Sequence, residues 1–291
     1  ATQLVLHEPD AKFLRLLHEQ PGLDRVALCR RCFMNIVFIG KISELTLFSE
    51  SFLSSAPDDS GTSIGAALWL ESQRTGRKAG TVEQHNFWGP SFTDEECLSA
   101  VEKFSLPNAV VVDDPAIAAA SDLVDGRILG WFQGPMEFGQ RSLGGRSILL
   151  DPRRTDGRDV VNSAVKYRES FRPFAPAVLE ARVAEWFECP EGTSIPYMER
   201  VLRFRKERQA EVPAVVHADG TGRLQTVTGE HTPRYHAMIS EFERLTGVPI
   251  VLNTSFNLNG EPVVCTPEDA IRTFYTCGLD VLYLGNVRIS K

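Results

Sequence analysis

The residues best suited to chemistry lie between Gly134 and Pro176, where cationic side chains alternate with glycines. The cations are Arg141, Arg146, Arg153, Arg154, Arg158, Lys166, Arg168 and Arg172, and the first of them lie among Gly139, Gly144 and Gly145. Guanidinium groups form paired hydrogen bonds with oxyanions, and glycine lets backbone N–H groups approach an anion closely. A solvated basic loop would explain the charge alone, but not two arginines that bracket Ser-Leu-Gly-Gly. We therefore predict an anion-binding site in this segment.

Composition narrows the possible partners of such a site. The chain has 291 residues, enough for two domains or one large one, and its 43% apolar and 24% charged residues are typical of a globular protein. A net charge of -7 argues against non-specific nucleic-acid binding. No apolar run has the length of a membrane span, and the first residues do not resemble a signal peptide. Six scattered cysteines predict reduced thiols and a cytoplasmic location, although Cys29 and Cys32 have metal or redox spacing.

Apolar periodicity predicts alternating helices and strands, and hence α/β or α+β layers. Helices are predicted at residues 10–20, 62–73, 94–104, 156–169, 233–246 and 266–276, and strands include residues 25–29, 248–253 and 261–265. Three helix starts are predicted from capping residues and proline, at Thr93 or Asp94, at Asp113–Pro115 and at Thr266. The small residues of the second helix predict tight packing. The helix over 156–169 would carry Lys166 and Arg168 at its C-terminal end.

Three motifs in this chain resemble the nodulation-type O-carbamoyltransferases: EFGQRSLGGRSIL, KYRESFRPFAPAVL and NTSFNLNGEPVVCTPEDA. The resemblance extends from about Leu53 onward. It implies an α/β (α+β) protein in which residues 1–100 are the C-terminal part of an actin-like domain. Residues 101–291 would form a YrdC-like domain, a twisted sheet with flanking helices, and the boundary is expected within 85–115. The upstream half of the actin-like domain, with its paired histidines, is expected to be absent from this sequence.

The resemblance also implies an activity. Carbamoyl phosphate and ATP would form carbamoyl adenylate, and the carbamoyl group would then pass to a hydroxyl of an antibiotic or another natural product. The implied cofactors are Mg²⁺ with ATP and a divalent metal, expected to be Fe²⁺, in the actin-like domain. A homodimer is one expected assembly, and no membrane or nucleic-acid partner is expected. Two alternatives stay open: a threonylcarbamoyl-adenylate synthase, and a nucleotide- or RNA-binding module without catalysis.

The site residues follow from the same motifs. The catalytic residues implied are Arg141, Lys166, Arg172 and Ser255. Contacts with ATP and the adenylate are implied for Arg141, Arg146, Lys166, Arg168, Arg172, Arg223, Thr254, Ser255 and Asn257, with bracing of the loop as the alternative for Arg146. Lys166 and Arg172 are expected to face the surface. Asp59 matches a metal ligand, and its alternative role is at the start of a capped helix.

Two departures from the family pattern concern nucleotide contact. Arg30 and Arg31 replace two glycines, so their side chains would have to take over any phosphate contact made by the backbone there. Gln140 replaces a proline beside Arg141, which removes backbone stiffness but keeps the arginine.

Overall fold

The computed structural model describes residues 2–19, 23–29, 34–77, 85–167 and 172–291. These residues form two compact units. The smaller unit comprises Ala1–Asn86 with Glu199–Val201, and the larger comprises Phe87–Met198 with Leu202–Lys291. The division falls inside the predicted range of 85–115. Residues 87–100, which were predicted with the first domain, belong to the larger unit.

The smaller unit packs helices around a pair of parallel strands. Its described elements are α1 (Thr2–His18), β1 (Arg25–Leu28), α2 (Ile36–Gly40), α3 (Ile42–Leu45), β2 (Glu50–Leu53) and α4 (Thr62–Thr75). Leu14, Leu28 and Phe38 belong to its core. A 3₁₀ turn at Asp59–Gly61 precedes α4. No described residue of α4 is buried, so the tight packing predicted from its small residues is not found here.

The larger unit is built on a mixed sheet with helices around it. Its described elements are α5 (Asp94–Lys103), β3 (Ala109–Val111), α6 (Pro115–Val124), β4 (Leu129–Phe132), β5 (Arg146–Leu150), α7 (Gly157–Val161), β6 (Ala175–Leu179), α8 (Val183–Trp186), β7 (Arg200–Arg203, which crosses the division), β8 (Thr221–Val227), α9 (Pro233–Thr246), β9 (Ile250–Ser255), α10 (Pro267–Thr276), β10 (Val281–Leu284) and β11 (Val287–Ser290). In the described residues the sheet has nine strands, ordered β3-β11-β10-β4-β5-β9-β6-β8-β7. The predicted α/β class is confirmed.

The predicted helix starts are confirmed by their caps. Thr93 caps α5 in a reciprocal capping box with Glu96. Asp114 caps α6, which has proline at its first position, and Thr266 caps α10. The sequence alone predicts such helix starts because a capping residue bonds only to groups within the first turn.

Two predicted elements differ from the structure. The helix over 156–169 is replaced by the short α7 and a π-helical turn at Asn162–Lys166, and it ends there because Tyr167 has a left-handed φ of 43°. Residues 261–265 form no strand. Pro262 interrupts that segment and cannot donate a sheet hydrogen bond.

The central strands are buried on both faces. Every residue of β4, β5, β6 and β10 is buried, and Trp131, Ile148 and Leu252 have no exposed surface. Polar side chains in such strands must be hydrogen-bonded, since an unpaired buried polar group is costly. Of the helices in the described ranges, none has the length and apolarity to cross a membrane.

Candidate functional site

Four strands bring their ends together at one edge of the sheet. Strand β9 runs antiparallel to β5 and β6, and β6 runs parallel to β8. Ser147 pairs with Ser255, and Ala175 pairs with Asn253. The N-terminal ends of β5, β6 and β8 therefore lie beside the C-terminal end of β9. This edge gathers candidate residues from distant parts of the chain.

The pleat of the strands decides which side chains share a face at this edge. Residues two apart on a strand, and directly paired residues, project from the same face. Ala177 pairs with Gln225, so Arg223, Gln225, Asn253 and Ser255 share one face. Thr254 lies between Asn253 and Ser255 and points to the opposite face. Its hydroxyl therefore lies on the other face of β9 from that of Ser255, and its predicted contact with the adenylate stays a prediction.

Two buried amides hold the loop between β4 and β5 against that face. Gln225 Nε2 donates to Leu143 O at 2.8 Å, and Asn253 Nδ2 donates to Ser142 O at 3.1 Å. Asn253 also donates to Gln225 Oε1 at 2.8 Å, which links the two amides. Arg141 directly precedes Ser142, so this arrangement brings Arg141 to the edge occupied by β8 and β9.

Arg141 is a cation for which the described residues provide no partner. Its side chain is partly buried, and burial lowers the pKa of its guanidinium. It makes no hydrogen bond or ion pair with any residue in the described ranges. A desolvated cation that lacks an anion is unfavourable, and an anionic ligand beside it would remove that cost. Among the described residues at this edge, Arg141 is therefore the strongest candidate for binding an anion.

Lys166 lies inside the protein, at the end of the π-helical turn. It is only 5% exposed. Its Nζ donates to the main-chain oxygens of Ser255 and Asn257 at 2.6 and 2.9 Å, and lies 3.2 Å from Ser255 Oγ and 2.8 Å from Asn257 Oδ1. The expectation that Lys166 faces the surface is wrong, because four oxygens at the end of β9 enclose it. Its charge acts on the site by positioning this strand end.

Ser255 and Asn257 complete this arrangement. Ser255 Oγ donates to Asn257 Oδ1 at 2.6 Å, and Asn257 Nδ2 donates to the oxygens of Leu258 and Glu261. Every polar atom of the Asn257 amide is thus used within the protein, which favours a positioning role over a ligand contact. The same oxygens already accept from an ammonium group, so they do not fit a Mg²⁺ ion. Any Mg²⁺ here would be held by the phosphates of its nucleotide.

Arg146 braces the loop. It has no exposed surface, and its guanidinium donates to the main-chain oxygens of Gln133, Gly134, Gly145 and Pro90 at 3.0–3.1 Å. Burial lowers its pKa to about 10. Of the two roles left open by the sequence, bracing is the one that these contacts support.

Glu137 is the anionic counterpart of Arg146, and sequence reasoning missed it. Its buried Oε1 accepts from the N–H groups of Leu143 and Gly145 at 2.6 and 2.7 Å. A carboxylate that accepts several backbone N–H groups fixes a loop in one shape. Its place in the family-like motif was visible, but its inward direction was not.

The remaining cationic candidates lie around this edge. Arg172 is exposed and has a partner, and it precedes buried Phe174 at the start of β6. Arg223 is half-buried and lies close enough to His217 to lower the pKa of that imidazole. Arg168, Arg30 and Arg31 lie outside the described residues.

Asp59 is apart from these groups, in the smaller unit. Its side chain is exposed, and its main-chain oxygen accepts from Thr62 Oγ1 at 2.6 Å. Within the described ranges, no group of three or more His, Cys, Asp or Glu side chains could hold a metal ion. One exposed carboxylate does not fit a divalent metal by itself, so its metal role stays a prediction.

The fold is that of an α/β protein whose central strands bring Arg141 and Arg223 to one edge of the sheet. The chain belongs to the carbamoyltransferase family described as "Carbamoyltransferase C-terminus", whose model matches residues 120–291. The suspected family is confirmed.

Curated relatives agree with this assignment. Nodulation protein NolO of Bradyrhizobium diazoefficiens is 40% identical over 283 residues, which cover 96% of this chain and 51% of the relative. Nodulation protein U of the same organism is 34% identical over 242 residues, or 82% of this chain and 40% of the relative. The chain thus spans about half the length of the curated relatives it matches. Among solved structures, full-length HypF in its phosphate- and nucleotide-bound form can be superposed on 62% of this chain. The match covers 22% of the HypF chain, with a TM-score of 0.39 and 15% sequence identity, which is too low to support an argument.

Proposed function

We propose that this chain forms carbamoyl adenylate from carbamoyl phosphate and ATP, as the C-terminal part of an ATP-dependent O-carbamoyltransferase. The observation that carries the proposal is Arg141, a partly buried guanidinium without a partner in the described ranges. It lies in the family-matched region, next to a residue bound to β9. In the whole protein, the carbamoyl group would pass to a hydroxyl of a natural product such as an antibiotic.

The reaction must bring two polyanions together. For the atoms to balance, water releases phosphate from carbamoyl phosphate and leaves carbamate. A carbamate oxygen then attacks the α-phosphorus of ATP, and pyrophosphate leaves. Catalysis of such steps is mainly positioning and charge neutralisation.

The residues at the sheet edge would have two different roles in this reaction, charge neutralisation and positioning. Arg141, with Arg223 and Arg172, supplies positive charge for the phosphates and for the charge that develops on pyrophosphate. Lys166 and Asn257 keep the end of β9 in place, and they orient Ser255 so that its hydroxyl hydrogen points to Asn257 Oδ1. Ser255 has no base to activate it in this arrangement, so it would orient a ligand and not attack it.

Product analysis by ³¹P NMR tests this proposal. The purified chain is incubated with MgATP and carbamoyl phosphate, with MgATP alone, or with MgATP, threonine and bicarbonate. We expect pyrophosphate and phosphate in equal amounts only in the first mixture. Pyrophosphate that depends on threonine would indicate a threonylcarbamoyl-adenylate synthase instead. ATP binding without pyrophosphate in any mixture would indicate a binding module and contradict the proposal.

A further inference from the structure

Tyr167 has a backbone conformation that its residue type disfavours. Its φ and ψ are both 43°, which places it in the left-handed region at the end of the π-helical turn Asn162–Lys166. A left-handed residue is common where a helix ends, but glycine or asparagine usually occupies that position, because a Cβ atom makes this conformation unfavourable. The helix end therefore explains the conformation, but it does not explain a tyrosine.

Packing does not explain the tyrosine either. Tyr167 is 63% exposed, and its side chain makes no hydrogen bond and no ring contact with any residue in the described ranges. Met198 is the contrast, because its φ is 55° but its side chain is buried in a small core cluster with Leu143 and Ala175. Backbone strain without such a gain is typical of residues that contact a ligand.

The neighbours of Tyr167 place it at the sheet edge of the proposed adenylation site. Lys166, the preceding residue, is buried with its ammonium group against Ser255 and Asn257 at the end of β9. The N–H group of Tyr167 donates to Asn162 O at 2.6 Å. Because consecutive Cα atoms are only about 3.8 Å apart, the main chain of Tyr167 is fixed beside this buried lysine. Its ring remains accessible there.

The chemistry of the ring limits what it can contact. A tyrosine ring offers a flat aromatic face that stacks on a nucleobase, and its face does not attract a phosphate. In the proposed reaction, the phosphates of ATP lie against Arg141 and its neighbours. The ribose separates the base from these phosphates, so a stacking residue is needed beside the cationic edge.

Trp88 is the competing aromatic residue. It is 46% exposed, and its ring lies 6.1 Å from that of Phe138, on the loop that carries Arg141. The ring of Trp88 thus already has an aromatic neighbour in the protein, and its backbone is not left-handed. These two differences favour Tyr167 as the residue whose ring is reserved for a ligand.

We propose that the adenine base of ATP stacks on the ring of Tyr167. This inference rests on the proposed function, since it takes ATP as the ligand. The ring, and not the hydroxyl, would make the contact. Because stacking tolerates any base, Tyr167 would favour a nucleotide over a polyphosphate without a base, and it would not distinguish adenine from guanine.

Calorimetric titrations with MgATP and with magnesium tripolyphosphate test this inference, because the second probe has the phosphates without the base. Tyr167→Asn removes the ring and supplies a residue that tolerates the left-handed backbone. We expect it to weaken MgATP binding about tenfold, to leave tripolyphosphate binding unchanged and not to lower the melting temperature. Tyr167→Phe keeps the ring and should bind both probes as wild type does. Tyr275→Ala, at an exposed tyrosine of α10, is the control and should also bind both normally.

Several results would overturn this inference. They are undiminished MgATP binding by Tyr167→Asn, an equal loss of tripolyphosphate binding, and a loss of MgATP binding by Tyr167→Phe. A lower melting temperature of Tyr167→Asn would also overturn it, because the ring would then stabilise the fold. Weaker MgATP binding by Trp88→Ala, with Tyr167→Asn unaffected, would assign the base to Trp88 instead.

The outcomes also separate this inference from the proposed function, because the titrations need no carbamoyl phosphate. A chain that binds MgATP in the expected pattern but releases no pyrophosphate would contradict only the proposed function. Pyrophosphate release by wild type, together with undiminished MgATP binding by Tyr167→Asn, would contradict only the stacking role. Wild type that binds no MgATP would contradict both.

Discussion

The ammonium group of Lys166 donates a hydrogen bond of 2.6 Å to the main-chain oxygen of Ser255. This contact joins the π-helical turn after α7 to the end of β9, 89 residues away in sequence. Because Lys166 is buried, its charge stabilises a strand end and is not exposed to solvent. Its role in the site is therefore tied to the stability of the fold.

Lys166→Met should destabilise the protein as well as abolish pyrophosphate release. Methionine keeps the length of the side chain, but it leaves oxygens of Ser255 and Asn257 without their donor. We expect a loss of about 2–4 kcal/mol in the free energy of unfolding, measured by denaturant titration. Lys103→Met, which removes an exposed lysine 3.4 Å from Glu268, is the control and should change stability by less than about 0.5 kcal/mol. Equal stability of the two variants would contradict the positioning role.

Gly144→Ala should disrupt the loop that carries Arg141. Gly144 has a φ of 110°, and an added Cβ would lie 2.3 Å from the Tyr235 ring. We expect a cost on the order of 2–4 kcal/mol in denaturant titrations, together with weaker adenylation. Gly192→Ala separates the two causes, since Gly192 has a φ of 75° and open space around it. If both variants lost the same stability, the contact with Tyr235 would not matter.

His217 should make stability depend on pH. Burial lowers its pKa to about 4, with Arg223 and Arg158 acting in the same direction and Asp219 opposing them. The unfolded chain then binds more protons than the native protein between pH 6.5 and about 4, so stability falls as the pH falls through this window. We expect wild type to lose on the order of 2 kcal/mol more than His217→Gln between pH 7 and 4. An NMR titration of the imidazole with a midpoint near 6.5 would refute this.

The tautomer of His217 follows from its neighbours. Thr221 Oγ1 donates its single hydrogen to Asp219 Oδ1 at 2.6 Å, and it lies 3.0 Å from His217 Nδ1. Nδ1 must therefore carry the proton and donate to Thr221. The same NMR experiment should show the Nδ1–H form at neutral pH.

Local sequence signals identified much of this fold, and long-range packing explains the rest. The caps at Thr93 and Thr266 were readable because their partners lie three residues away. The cationic motif predicted an anion site, which stays a prediction, and Arg141 is the candidate for it that the described residues leave without a partner. The surface location predicted for Lys166 was wrong because the oxygens that bind its ammonium group lie about 90 residues further along the chain. No local pattern shows that a lysine beside a basic loop turns inward.

The buried amides show the same limit. The sequence around Gln225 and Asn253 has the alternating or apolar pattern of ordinary strands. Nevertheless, both side chains donate hydrogen bonds to the loop that carries Arg141. A polar side chain inside a buried strand needs a hydrogen-bond partner, so these two amides could have been recognised in the sequence as candidates for long-range contacts. The face of Thr254 could also have been inferred from strand alternation, once β9 was known to continue to Ser255.

Transfer of the carbamoyl group should need more than this chain. Asp59 has no companion ligands in the described ranges, and one exposed carboxylate does not hold a divalent ion against water. We expect the 291 residues to release pyrophosphate but not to carbamoylate a panel of hydroxylated antibiotics, with or without added Fe²⁺ or Mn²⁺. Calorimetry with Mn²⁺ should show no tight site that Asp59→Ala removes. Metal-dependent carbamoylation by this chain would contradict this account.

The most direct measurement of the central claim is pyrophosphate release by Arg141→Ala at saturating MgATP and carbamoyl phosphate. Loss of a charge-assisted contact to the reacting phosphates should cost about 2.7–4 kcal/mol of transition-state stabilisation, a decrease of roughly 10²–10³ in kcat. Arg244→Ala is the matched control and should leave the rate unchanged, because Arg244 pairs with Glu241 on the exposed side of α9. Wild-type rates in Arg141→Ala, with both variants folded, would contradict the assignment of this sheet edge as the adenylation site.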